Sequence, residues 1–139
     1  MKLYCMNYGP GYCGAPDANE TSNFQCAGPC EYDLINLTPH EINLVTEKGT
    51  VSIPPSGAVA RCAVSRELVS NYGIGETHVP INRTIIGEVT DLPEPSPNIY
   101  YIVSSIVAQA ARRDDLLVVD DTVRDGQGRI VGAKALAKI

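Results

Sequence analysis

Residues 87–113 read GEVTDLPEPSPNIYYIVSSIVAQAARR, and the change of hydrophobic period inside this stretch decides the fold. Pro93, Pro95 and Pro97 fix φ and remove three backbone donors, so Leu92 to Asn98 is an extended connector. Ile99 to Val103 is then a short β-branched and aromatic run, the signature of a buried strand. Ser104 and Ser105 are N-cap residues, and Ile106, Val107, Ala110 and Ala111 recur at helical spacing before Arg112 and Arg113 place cations at the end. The expected helix covers about 104–112. Asp114 and Asp115 open another apolar run, Leu116 to Val119, which completes strand, helix and strand in the length of a minimal crossover unit.

Short strands surround this unit. Tyr32 to Leu37 reads as one, Thr38-Pro39-His40 turns the chain, and Glu41 to Thr46 alternates apolar and polar residues. Val51 to Ile53 and Val59 to Val64 follow, separated by Pro54-Pro55 and Ser56-Gly57. Ser65 to Asn71 carries a serine cap and an early Glu67, which predicts one or two helical turns ended by Gly73 and Gly75. Thr77 to Ile81 and Arg83 to Val89 are further strands. Thr122 to Asp125 and Arg129 to Ala133 flank Gly126-Gln127-Gly128 as a hairpin, and KALAKI ends the chain as a last strand or tail. The pattern is that of an α+β domain: β-rich, a mostly antiparallel sheet or partly closed barrel of short strands, with one main helix.

The first 32 residues differ in character, so the chain divides into a Cys/Gly/Pro-rich extension, 1–32, and a core domain, 33–139. Gly9, Pro10, Gly11, Gly14, Pro16, Gly28 and Pro29 exclude long regular elements from the extension. Cys5, Cys13, Cys26 and Cys30 are candidate ligands of a structural zinc, with His40 or Cys62 as substitutes, although the C-x7-C and C-x3-C spacings miss the paired knuckles of zinc ribbons. Disulfides, and thiols that merely pack, are the competing accounts. No cofactor beyond such a zinc is expected.

The formal charge of -5 argues against a binder of DNA or RNA polymers, which are held by surplus Lys and Arg. A local positive pocket remains compatible with that total. No stretch reaches the roughly 20 apolar residues of a membrane helix, and the beginning lacks the apolar core of a secretory signal. A soluble protein of the cytoplasm, without a membrane partner, is the expectation.

The residues offer little catalytic apparatus. His40 and His78 stand apart from any nucleophile motif, Cys62 lies in a core-like alternation, and Asp114-Asp115 and Asp120-Asp121 are adjacent acids that diverge on a strand. A metal-dependent hydrolase built on these groups ranks last, and no enzyme is expected. What remains is a binding set. Arg83, Arg112, Arg113, Arg124 and Arg129 suit bidentate phosphate recognition, Ser104 and Ser105 offer hydroxyls beside free amides, and Tyr100 or Tyr101 offers a ring for base stacking. Against this, a serine pair also serves simply to cap its own helix, and surface arginines also form ordinary local ion pairs.

The phrases INLTPHEINLV, IPPSGAVAR, GEVTDLPEP, YYIVSSIVAQAARRDDLLV and VRDGQGRIVGAKAL resemble the phage-encoded Thoeris anti-defence protein 1 family, over roughly Asp33 to Ile139. The resemblance implies a non-enzymatic sponge in the bacterial host cytoplasm that sequesters, without cleaving it, a cyclic ADP-ribose signal of TIR-domain immunity; related sponges also hold cyclic oligonucleotides. It further implies a homodimer or higher homo-oligomer with the nucleotide at a subunit interface. The cysteine-bearing extension departs from that pattern. The alternative is a phage accessory or protein-interaction module in which the cysteine-rich arm docks a partner.

Overall fold

The computed structural model describes residues 1–4 and 31–139. Cys5, Cys13, Cys26 and Cys30, the proposed zinc ligands, lie outside the described residues. Nine strands and one helix are described: β1 (Lys2–Tyr4), β2 (Glu31–Asn36), β3 (Ile42–Thr46), β4 (Gly49–Ile53), β5 (Arg61–Ile74), β6 (Thr77–Thr90), β7 (Ile99–Ile102), α1 (Ser105–Ala111), β8 (Leu116–Arg124) and β9 (Ile130–Ala137). Seven strands form a mixed sheet in the order β1-β2-β7-β8-β9-β3-β4, curled into a half-barrel, and β5 and β6 form a separate two-stranded sheet. The expected α+β class, β-rich with one main helix, is the observed one. β2, β7 and β8 run parallel, as do β3 and β9, while the remaining joins are antiparallel. β1 pairs with β2 from Lys2 opposite Asp33 to Tyr4 opposite Glu31, so the start of the extension belongs to the core sheet. Among the described residues no helix is long and apolar enough to cross a membrane.

The central unit forms as its period dictates. Ile99, Tyr101 and Val103 join one core cluster with Val107, Ala108, Leu116 and Val118, whereas Tyr100 and Ile102 join a second with Leu34, Ile42, Ile53 and Leu117. Strand alternation thus serves both faces of the sheet. The helix is held at both ends: the Ser104 hydroxyl accepts from the Val107 amide, and Arg112, at φ 50, turns left-handed and donates its amide to the Ala108 carbonyl. The proline connector is bracketed by Asp91 at φ 59 and Asn98 at φ 61, and the Asn98 carbonyl accepts from the Asp33 amide. These reversals deliver Ile99 alongside β2.

The curl is closed by one buried carboxamide. Asn36, 1% exposed, donates to the carbonyls of His40 at 2.8 Å and Ile53 at 3.2 Å, and its Oδ1 accepts from the Thr38 amide and hydroxyl. All four hydrogen-bonding positions of the amide are filled.

The middle of the chain departs from the expected pattern. Ser65 to Asn71 is strand, not helix, and the four short pieces expected between Val59 and Val89 are two continuous strands of 14 residues. Ser65 and Glu67 are local cap signals, but their backbones pair with Ile85 and Arg83 across the hairpin, and the ladder outweighs the cap. The turn is the two-residue loop Gly75-Glu76, with Gly75 at φ 60, the glycine-first form that matches strand twist. The root of the hairpin reaches the core through Cys62 and Val89.

Candidate functional site

Where the carboxyl ends of β2 and β7 meet the strands β8, β9 and β3, the half-barrel opens into a groove of about 510 Å³. Its walls are mostly apolar, from Ile42, Val103, Val118, Val119, Ile130 and Val131. Thr38, His40, Asn43, Ser104, Ser105 and Thr122 place neutral polar groups around it, and Glu41 adds a carboxylate. The topology explains the gathering: Thr38 and His40 follow β2, Ser104 and Ser105 follow β7, and the parallel register of Leu44 with Ala133 brings β3 beside β9. Gly132 is required at that join, since a Cβ there would stand 2.9 Å from the Asn43 carbonyl oxygen and 3.2 Å from Val45 Cγ2. Asn43 is itself fixed, its Oδ1 accepting from the Ser52 hydroxyl at 2.8 Å.

Of the residues nominated from the sequence, Ser104 and Ser105 line this groove; Tyr100 and the five arginines do not. Arg113 is committed elsewhere. Its Nε and Nη2 form a fork on the carboxylate of Asp115, which is 3% exposed, and its Nη1 donates to the Pro93 carbonyl at 2.8 Å. Donating to this carboxylate raises the Arg113 pKa above its ordinary value. Arg124 donates to the Gly128 carbonyl at 2.7 Å, and Arg129 pairs with Asp125 at 3.0 Å, so both serve the β8–β9 turn. Arg83 lies on β6 opposite Glu67. Arg112 borders a second hollow of about 290 Å³ with Gln109 and Ile139. Tyr100 packs against Tyr32 in a tilted pair, 5.2 Å between centroids and 57° between planes, and Lys138 Nζ stands 5.4 Å from its ring centroid. Within one copy of the chain the five arginines are therefore distributed over the helix end, the β8–β9 turn and the hairpin.

His40 is at the groove and His78 is near the hairpin turn opposite Gly73, while Asp114 pairs with Lys138 and Asp115 with Arg113. The groove residues that the sequence did not reveal are Thr38, Asn43 and Thr122. Their available signal was position at strand ends and on β3, visible only once β3 is placed next to β9.

No family model, curated protein or solved structure matches this chain.

Proposed function

We propose that the protein is a non-catalytic binder that sequesters a cyclic nucleotide signal, a cyclic ADP-ribose isomer or a cyclic oligonucleotide, with the groove at Ser104 and Ser105 receiving the base and sugar. The observation that carries this reading is the groove itself: about 510 Å³, apolar walls, and a few polar side chains placed around them. Small-molecule sites have this constitution, apolar surface for affinity and a small polar set for orientation. The resemblance of the chain's motif order to the phage sponge family favours the same ligand class. Ser104 and Ser105 supply hydroxyls, His40 an imidazole and Asn43 a carboxamide, groups suited to sugar hydroxyls and base edges. The phosphate charge calls for cations from outside the groove, in keeping with a site shared between copies of the chain.

The test is retention. Purified protein mixed with cyclic ADP-ribose isomers or cyclic oligonucleotides depletes one of them from solution and returns it unchanged on heating. Val119→Trp, which fills the groove from a residue 43% exposed, abolishes depletion without altering the far-UV circular dichroism. Failure to deplete any cyclic nucleotide overturns the reading, and recovery of a cleaved product makes the protein an enzyme instead.

A further inference from the structure

The charge of the groove limits which part of a ligand can lie in it. No lysine or arginine lines it, and Glu41 contributes its one carboxylate. Glu41 is exposed, and its side chain takes part in no ion pair or hydrogen bond among the described residues. A carboxylate with no cation beside it repels phosphate and accepts hydrogen bonds from N–H and O–H groups. The part of a nucleotide that suits this wall is therefore an uncharged donor edge.

The opposite function stands next to it. Glu41 leads into β3 and Asn43 is the second residue of that strand, so their side chains leave the extended chain on the same side, about 7 Å apart along it. Asn43 Oδ1 already accepts from the Ser52 hydroxyl at 2.8 Å, which leaves the two donors of Nδ2 for a ligand. One wall thus offers two carboxylate acceptors and then an amide donor. The Watson–Crick edge of guanine is the complement, since its N2 amino group and N1–H donate and its O6 accepts, in that order. Adenine presents one amino donor and one acceptor, so it leaves a carboxylate oxygen without a partner. A simple ammonium satisfies Glu41 but meets only donors at Asn43.

We infer that Glu41 and Asn43 read guanine: the carboxylate accepts from N1–H and the N2 amino group, and Asn43 Nδ2 donates to O6. The groove then selects a guanine-bearing cyclic oligonucleotide over ligands whose only base is adenine, cyclic ADP-ribose isomers included. This rests on the proposed reading of the groove as a nucleotide site and narrows it to one base.

Calorimetric titration of the full chain with cyclic di-GMP, cyclic di-IMP and cyclic di-AMP, and with the cyclic trinucleotides of the same bases, tests it, because each series varies the base alone. Guanine ligands bind most tightly and adenine ligands about tenfold more weakly. Hypoxanthine, which lacks only the N2 amino group, falls between them. Glu41→Gln keeps the size of the side chain but offers one acceptor and one donor, the pattern that adenine matches. It weakens guanine ligands by about tenfold and turns the preference towards adenine, a reversal that a merely structural role does not produce. Asn43→Asp keeps an oxygen for Ser52 but sets a carboxylate against O6, and it weakens guanine ligands at least as much. Equal affinity for the bases, tighter binding of adenine ligands, retention of cyclic ADP-ribose isomers alone, or a Glu41→Gln variant with unchanged preference overturns the inference while leaving a nucleotide site in place. Binding of no cyclic nucleotide at all overturns the reading beneath it as well.

Discussion

The carboxamide of Asn36 donates to the carbonyl of Ile53 at 3.2 Å, joining the end of β2 to the end of β4, the strand at the far side of the sheet order. This contact holds the curl that makes the groove. Asn36→Ala strands the Thr38 amide and the carbonyls of His40 and Ile53 at a site only 1% exposed. An unsatisfied buried polar group costs about 1–3 kcal/mol, so the variant loses about 3 kcal/mol in urea unfolding. A loss below about 0.5 kcal/mol would show that the closure is carried by other contacts.

Arg113 is the second tie. It neutralises Asp115 and holds the proline connector through the Pro93 carbonyl. Arg113→Ala leaves a carboxylate 3% exposed without its counter-charge, a change that costs about 3–5 kcal/mol in comparable buried pairs. The side chain of Arg113 is 22% exposed, so solvent screening places the expectation at the lower end, about 3 kcal/mol. Arg113→Lys recovers less than half of it, because an ammonium cannot serve both carboxylate oxygens and the carbonyl in one plane. Full recovery by lysine, measured by thermal unfolding, would reduce the contact to simple charge.

What the sequence made legible follows from how local each signal is. The β7–α1–β8 unit was readable because its strand period, its Ser104 cap and its helical spacing all lie within one stretch. The long hairpin was misread because SRELVSN carries helix-start chemistry, while its actual determinant is a partner strand at 77–90. The arginines mislead in the same way. The pairing of Arg113 with a carboxylate two residues on is one of the local ion pairs the sequence allowed, but its second commitment, to a carbonyl twenty residues back, has no local signal. Ser104 and Ser105 were found at the groove because a strand-to-helix junction is a local event. Asn43 and Thr122 were missed because only the joins of β9 to β3 and β8 bring them together.

Asp125 makes the β8–β9 turn sensitive to acid. Its carboxylate accepts from the Arg129 and Gln127 amides and from Arg129 Nε, and these bonds, the Arg129 amide first, hold its pKa below the ordinary 3.8. A depressed carboxylate contributes stability that is present above its unfolded pKa and is lost as pH falls through the folded value. The turn therefore keeps its structure to below pH 3.8. The carboxyl carbon shift of Asp125, followed by NMR against pH, has its midpoint below that value; a midpoint at or above it would show that the turn hydrogen bonds do not persist in solution.

Arg112 sits in the left-handed region at φ 50 and ends the helix. A side chain there costs about 1 kcal/mol relative to glycine. Arg112→Gly accordingly raises the unfolding free energy by about 1 kcal/mol, measured in urea, and leaves nucleotide retention intact if the groove and not the helix end holds the ligand. A fall in stability would mean that the guanidinium contributes more than its backbone costs.

Gly132 separates a structural demand from a binding one. Its position 2.9 Å from the Asn43 carbonyl, measured to an added Cβ, lies at the β3–β9 join where backbone meets backbone and cannot yield cheaply. Gly132→Ala overpacks this join and costs about 2 kcal/mol. Because Asn43, Gly132 and Ala133 all border the groove, the strand displacement that relieves the clash also reshapes it, so under the proposed function retention of a cyclic nucleotide falls beyond what lost stability explains. Gly126→Ala is the control: nothing lies within 4 Å of its added Cβ, its φ is not positive, and its effect stays within about 0.5 kcal/mol. Equal thermal midpoints for the two variants would show that β3 is free to shift at no cost, and would detach the groove's shape from the β3–β9 register.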